Sequence, residues 1–175
     1  MKKIWFIIIL LLSLILKHDK PSFICSTQFQ INIIISDKFS TDEKEIIKNS
    51  FLEWQTYTKS IVLFNINYFD SKYKSLYFER VSDDDLFAVE IDNYANGNVL
   101  GAYEEGINYS VIFIIPDRLT DFKSFKSTTL HEIGHSIGLN HNKIKNTLMY
   151  PNEDFASINI TKYDLTQFCK IYSCN

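Results

Sequence analysis

The chain has 175 residues, of which 46% are hydrophobic and 22% charged, with a net charge of −3. This is enough apolar material for one hydrophobic core, so we expect one folded domain and no dependence on a disulfide scaffold. The slightly acidic balance offers no basic patch for nucleic acid, and no nucleic-acid partner is expected.

The N-terminus is typical of an export signal. Lys2 and Lys3 precede an apolar run at 4–16, interrupted by Ser13. Spanning a bilayer takes about 20 residues, so this shorter run predicts a cleaved signal peptide at 1–26 and no stable membrane span. The alternative is a lipoprotein acylated at Cys25, which Ile24 disfavours because such sites prefer a small residue there. We therefore expect a secreted or otherwise extracytoplasmic protein.

The first half of the domain is predicted to alternate strands and one helix. Residues 28–35 alternate and then run apolar, as a strand does. Ser40-Thr41-Asp42-Glu43 is a capping box that opens a helix ending near Tyr57. Three further strands are predicted from apolar stretches, at 61–68, 76–81 and 86–91.

The second half is predicted to hold the remaining strands and two helices. Residues 98–103 are predicted as an exposed edge, and 109–115 as a buried strand that Pro116 ends. Helices are expected at 122–139 and 161–172. This order of elements predicts an α+β domain with a twisted mixed sheet.

The helix predicted at 122–139 carries a metal-ligand pattern. His131 and His135 are four residues apart, so both project from one helix face and can bind a single ion. Gly138 can take a left-handed conformation and end the helix, which lets His141 approach as a third ligand. Three protein ligands leave the fourth position for water, as in a catalytic zinc site.

Two further residues of this helix have predicted roles. Glu132 follows the first histidine, so its carboxylate turns toward the open coordination position and suits a base better than a ligand. Gly134 lies between the two ligands, and because glycine inside a helix costs roughly 1 kcal/mol relative to alanine, its presence predicts close packing there.

The pattern His131-Glu132-x-x-His135-x-x-Gly138-x-x-His141, followed by Leu148-Met149-Tyr150-Pro151, resembles the metzincin clan of zinc proteases. The Met-Tyr-Pro sequence resembles the matrixin branch most. The resemblance implies a zinc metalloprotease catalytic domain at 27–175, with a twisted mixed sheet, an active-site helix and a C-terminal helix. It also implies that Met149 supports the three imidazoles without binding the metal. The chain departs from the branch markers at Asn142 and shows no cysteine-switch motif.

The motif and the resemblance together imply a secreted metalloendopeptidase with one catalytic Zn2+. Glu132 would serve as general base toward a zinc-activated water, and the partners would be protein or peptide substrates of a monomeric enzyme. Two alternatives stay open: a zinc-binding module without proteolytic activity, and a metal hydrolase of non-peptide amides. An intact Glu132 argues against the first, because ligands alone would suffice for binding.

Substrate contacts are predicted on the exposed edge, since a sheet edge can bind an extended peptide as an added strand. The resemblance places the substrate-binding strand there, and a plain surface loop is the alternative. The pocket for the side chain after the cleaved bond is predicted near Leu130, Tyr150 and Pro151. The predicted edge residues are Asn98, Val99, Leu100, Gly101 and Ala102.

Two remaining features have a functional and a plain interpretation. Acidic clusters at 83–85, 104–105 and 153–154 could supply oxygens to Ca2+, but such clusters are usually solvated loop charges. Cys169 and Cys174 could form a disulfide in an oxidising compartment, whereas Cys169 could equally be a buried thiol on the last helix. His18 falls in the signal region and is not predicted to be a ligand.

Overall fold

The computed structural model describes residues 28–66, 75–95, 98–107 and 109–174. The predicted signal peptide, with His18 and Cys25, lies outside these ranges. Within them, the helices are too short or too polar to cross a bilayer.

A five-stranded sheet forms the centre of the described domain, in the order β2-β1-β3-β5-β4. The strands β1, β2, β3 and β5 pair in parallel, whereas β4 pairs antiparallel with β5 and forms one edge of the sheet. This confirms the predicted mixed sheet. The bounds are β1 Phe29–Ile35, β2 Val62–Ile66, β3 Ser75–Arg80, β4 Gly101–Glu105 and β5 Tyr109–Ile114.

Four α-helices accompany the sheet in the described ranges: α1 Thr41–Tyr57, α2 Leu86–Ala95, α3 Phe122–Ser136 and α4 Lys162–Ile171. The capping box predicted for α1 is present, with Ser40 and Glu43 each bonding the other's backbone N–H. One core joins α1 and α3 to alternate residues of the sheet, as period-two burial of a strand face requires. Its fully buried members include Ile33, Phe51, Trp54, Phe78, Ile112 and Ile133.

The strand predicted at 86–91 is wrong, because this segment forms α2. The Asp85 side chain accepts a hydrogen bond from the Phe87 N–H at 3.0 Å and so satisfies a free donor at the start of the helix. Ala88 is buried and Phe87 packs on Phe113, while Leu86 and Val89 are exposed. A short apolar run does not distinguish a helix from a strand by periodicity alone, and tertiary packing decided between them.

Other predicted elements are confirmed with shifted ends. The edge strand begins at Gly101 and not at 98, and α3 ends at Ser136, three residues before the predicted end. Of the strand predicted at 61–68, the last two residues lie outside the described ranges.

Candidate active site

Three imidazoles meet at one point beside α3. The Nε2 atoms of His131 and His141 are 3.0 Å apart, those of His131 and His135 3.1 Å, and those of His135 and His141 3.2 Å. Among the described residues, these histidines are the one group of three or more His, Cys, Asp or Glu side chains placed to hold a metal. The structure thus brings together the three ligands that the sequence predicted.

Hydrogen bonds at the opposite ring nitrogens orient two of these imidazoles. His131 Nδ1 lies 2.7 Å from the Leu148 carbonyl oxygen, and His135 Nδ1 lies 2.7 Å from that of Leu139. A carbonyl only accepts, so each Nδ1 carries the hydrogen and each Nε2 presents its lone pair to the shared point. Burial lowers the pKa of His131 to about 3 and that of His135 to about 4, so both rings are neutral near pH 7.

The donor set fits zinc. Two neutral rings with Nε2 lone pairs 3.1 Å apart repel each other unless a cation lies between them. Zinc–nitrogen bonds of about 2.0–2.1 Å in a tetrahedron place ligand nitrogens roughly 3.3 Å apart, close to the spacing seen here. Burial also lowers the pKa of His141, in keeping with a neutral third ligand.

Gly138 ends the active-site helix as predicted. Its φ is +89°, and the N–H groups of Gly138 and Leu139 donate to the carbonyls of His135 and Gly134, which is the Schellman pattern of helix ends. A side chain at this φ would be strained. The turn reverses the chain so that His141 returns to the two helix-borne histidines.

Gly134 leaves room for the Met149 side chain against the active-site helix. A Cβ at position 134 would lie 2.6 Å from the Met149 sulfur and 3.4 Å from the ring of Trp54. The predicted close packing at this glycine is therefore confirmed. The Trp54 indole N–H also donates to the Leu130 carbonyl at 2.9 Å, which ties α1 to the start of the motif. The sequence placed Trp54 only on the apolar face of its helix.

Asp164 holds the segment around Met149 in place. Its carboxyl group is fully buried and accepts hydrogen bonds from the N–H groups of Leu148, Met149 and Thr161, at 3.1, 3.3 and 2.8 Å. The Leu148 carbonyl in turn accepts from His131, so α4 supports the metal centre through two contacts. Sequence reasoning missed this role, although Thr161 and Asp164 have the spacing of a capping box.

Asn142 pins the loop between His141 and Met149. Its N–H donates to the Met149 carbonyl at 2.9 Å, and its side-chain oxygen accepts from the Ile144 N–H and the Thr147 hydroxyl. The residue that departs from the branch markers thus has a clear structural role here.

Glu132 lies in the wall of the same cleft and is 5% exposed. Burial raises the pKa of this carboxyl to about 8. Gly101 of β4 packs against it so closely that a Cβ there would lie 3.0 Å from the Glu132 Cγ. The edge strand and the acid are therefore in direct contact.

The cleft encloses about 600 Å³ in front of the histidines. Tyr150, Pro151, Glu153 and Ala156 contribute to its lining, as do residues 98–103. Leu130, predicted to line the pocket, is fully buried because it points from α3 into the core. Ile91 and Ala95 line the cleft as well, which the sequence did not predict, because residues 86–91 were predicted as a strand and residue 95 was given no role.

The pairing of β4 with β5 decides which backbone groups face outward. Leu100 accepts from the Ile115 N–H and Gly106 donates to the Tyr109 carbonyl, so these are hydrogen-bonded pairs. Because such pairs alternate along an antiparallel ladder, Ala102 bonds inward, and Gly101 and Tyr103 direct their N–H and C=O groups to the open edge.

The structure also bears on the cysteines and on calcium. Cys169 is a free thiol, so it forms no disulfide with Cys174, and the alternative of a partly buried thiol on the last helix fits. Among the described residues, no acidic side chain belongs to a cluster of three or more His, Cys, Asp or Glu side chains that could hold a metal ion, and calcium gains no support.

Comparison with known proteins identifies the family. The model of the Matrixin family, Peptidase M10, matches residues 26–173. The chain belongs to the matrixin family. Among curated proteins, no sequence matches it significantly.

Solved structures agree on the fold of this matrixin. Archaemetzincin from Methanopyrus kandleri is 15% identical, with a TM-score of 0.55 over 83% of this chain and 96% of that one. High choriolytic enzyme 1, a hatching-enzyme zinc protease from medaka fish, Oryzias latipes, is 13% identical. Its TM-score is 0.53, over 85% of this chain and 91% of that one. The chain therefore has the fold of the zinc metalloproteases, with a three-histidine zinc-binding group.

Proposed function

We propose that this matrixin is a secreted zinc-dependent endopeptidase in which Glu132 acts as the general base. The observation that carries the proposal is the meeting of three neutral histidines at one point, with a buried carboxyl group in the same open cleft. A module that only binds zinc would need the ligands but neither Glu132 nor the cleft.

Four residues of the chain account for the proposed chemistry of peptide hydrolysis. His131, His135 and His141 would hold a zinc ion, which would supply Lewis acidity toward water and toward the substrate carbonyl. Burial alone raises the pKa of Glu132 to about 8, but a cation held by the three histidines of the same cleft would favour its ionised form. The carboxylate can then accept the proton of the attacking water and pass it to the leaving amine. The low solvent exposure of Glu132 strengthens its interaction with charge that develops in the cleft.

Substrate backbone would bind along the open edge of β4 as one more strand. Of the residues predicted for this role, the register favours Gly101, with Tyr103 as a further contact. Asn98, Val99, Leu100 and Ala102 line the cleft together with Tyr150 on another part of its wall. Tyr150, Pro151 and Ala156 form an apolar surface suited to the side chain that follows the cleaved bond.

We expect the zinc-loaded domain to cleave internal bonds in a mixed peptide library, with an apolar residue after the cut. Mass spectrometry of the products gives the cleaved positions. Equal turnover of dipeptides and longer peptides, or a charged residue dominating the position after the cut, would contradict the proposal. Hydrolysis confined to non-peptide amides would favour the alternative of a metal hydrolase that does not act on peptides. Zinc binding without any turnover would favour a zinc-binding module without proteolytic activity.

Export is the second part of the proposal and rests on the apolar run at 4–16 after two lysines. Secreted protein should begin between residues 21 and 28, which intact-mass measurement resolves. Retention of residues 1–20 on secreted protein would refute cleavage. Added lipid mass on Cys25 would favour the lipoprotein alternative over a signal peptide that ends at residue 26.

A further inference from the structure

One ion pair outside the metal centre contacts the backbone just before the edge strand β4. Arg118 follows β5 in a short turn at Pro116–Arg118, and Asp92 lies on α2. The Arg118 Nη1 lies 2.8 Å from the Asp92 Oδ1, and its Nε bonds the carboxylate of Asp83. The Arg118 side chain is only 7% exposed, so solvent screens this pair less than it would a surface ion pair.

Both members of the pair also bond the backbone of Val99. Arg118 Nη1 donates to the Val99 carbonyl at 2.7 Å, and the Val99 N–H donates to the Asp92 Oδ1 at 2.8 Å. The hydrogen bonds from Arg118 and from the Val99 N–H also lower the pKa of Asp92. Asp92, Arg118 and Val99 thus form a closed ring of hydrogen bonds.

The position of Val99 in the register makes this ring relevant to substrate. Leu100 bonds Ile115, so the alternation that turns Gly101 outward would turn the backbone groups of Val99 outward too. The Asp92–Arg118 pair occupies both of those groups. Ile91 and Ala95 of α2, on either side of Asp92 in the sequence, line the cleft.

We infer that Asp92 and Arg118 position the substrate-binding edge and end it at Val99. This rests on the proposed function for the identity of the substrate, a peptide backbone, but not for the contacts themselves. Substrate residues that extend past Gly101 toward Val99 find no free N–H or C=O group to pair with. The enzyme therefore binds only a few substrate residues on that side. Asp92 and Arg118 are positioning residues, because they act through Val99 and touch no reacting atom.

Amide hydrogen exchange of the zinc-loaded protein tests the positioning without reference to activity. Asp92→Ala removes the acceptor of the Val99 N–H, so the Val99 amide should exchange at least tenfold faster than in the wild type. Arg118→Lys keeps the charge but cannot reach Asp83, Asp92 and Val99 together, so it should increase the exchange rate by a smaller factor. The matched control is Arg80→Lys, because Arg80 forms its ion pairs with Asp117 of the same turn and with Glu43 of α1. An unchanged Val99 exchange rate would overturn the inference.

Kinetics on a ladder of library-derived peptides, extended one residue at a time at either end, test where the edge stops. In the wild type, kcat/KM should stop rising at one end once the residue opposite Gly101 is present. Arg118→Lys should raise KM about tenfold and leave kcat within threefold and zinc affinity unchanged, with Asp92→Asn milder because its amide oxygen still accepts from Val99. A purely structural role would lower kcat and zinc content instead and contradict the inference.

The two proposals fail separately. If the wild type cleaves no peptide, the endopeptidase proposal fails, and amide exchange alone decides whether the pair fixes the edge. If the wild type cleaves peptides and its kcat/KM continues to rise at both ends of the ladder, the stop at Val99 is refuted while the endopeptidase proposal stands.

Discussion

Replacing Glu132 with glutamine is expected to reduce turnover by about 10²- to 10⁴-fold and to leave zinc affinity within a few-fold of the wild type. The substitution removes the group that accepts the proton and keeps the shape of the side chain. It alters none of the three histidines that converge in the structure. Peptide hydrolysis by the zinc-loaded protein, together with zinc titration, measures both quantities.

Two further variants delimit this result. His141→Ala should lose both turnover and zinc affinity, because it removes a ligand. Glu45→Gln changes a solvent-facing glutamate on α1, remote from the cleft, and should match the wild type in both assays. A Glu132→Gln protein that hydrolyses peptides at the normal rate would disprove the role of Glu132 as the base.

Asp164→Ala is expected to lower the free energy of unfolding by about 3 kcal/mol or more. The N–H groups of Leu148, Met149 and Thr161 would all lose their acceptor in a buried site, and each unsatisfied donor costs roughly 1–3 kcal/mol. Zinc affinity should fall about 10- to 100-fold, because Leu148 also fixes the ring of His131. Urea unfolding of the metal-free and zinc-loaded protein separates the two effects.

The matched control is Asp154→Ala, which removes an exposed carboxylate in the neighbouring segment and should change the free energy of unfolding by less than about 0.5 kcal/mol. Asp164→Asn keeps one acceptor oxygen and should fall between wild type and alanine. If Asp164→Ala bound zinc normally and were as stable as Asp154→Ala, the support of the metal centre by α4 would be refuted.

The metal centre was the part of this protein most open to sequence reasoning. His131 and His135 are four residues apart on one helix, and Gly138 ends that helix, so local geometry alone placed two ligands and the bend before the third. The same holds for α1, whose capping box is formed by neighbouring residues in the chain. Features of this kind depend on short-range backbone geometry, and residue types at fixed spacing encode them.

What the sequence missed depends on residues far apart in the chain. Packing of Phe87 on Phe113 decided that residues 86–91 form a helix and not a strand. The same helix carries Asp92, whose contact with Arg118 the sequence therefore did not predict. Leu130 was expected in the cleft, but the rotation of α3 about its axis turned it into the core.

The sequence alone determined the zinc ligands, the candidate base, the family and the α+β class with a mixed sheet, because each follows from local spacing or from a motif. Only the tertiary structure decided that Asp164 supports Met149, that Trp54 bonds the carbonyl of Leu130, and which atoms of β4 face the open edge. The physical reason is that burial and hydrogen-bond pairing over long sequence separations are properties of the folded core, and no periodicity in the chain records them.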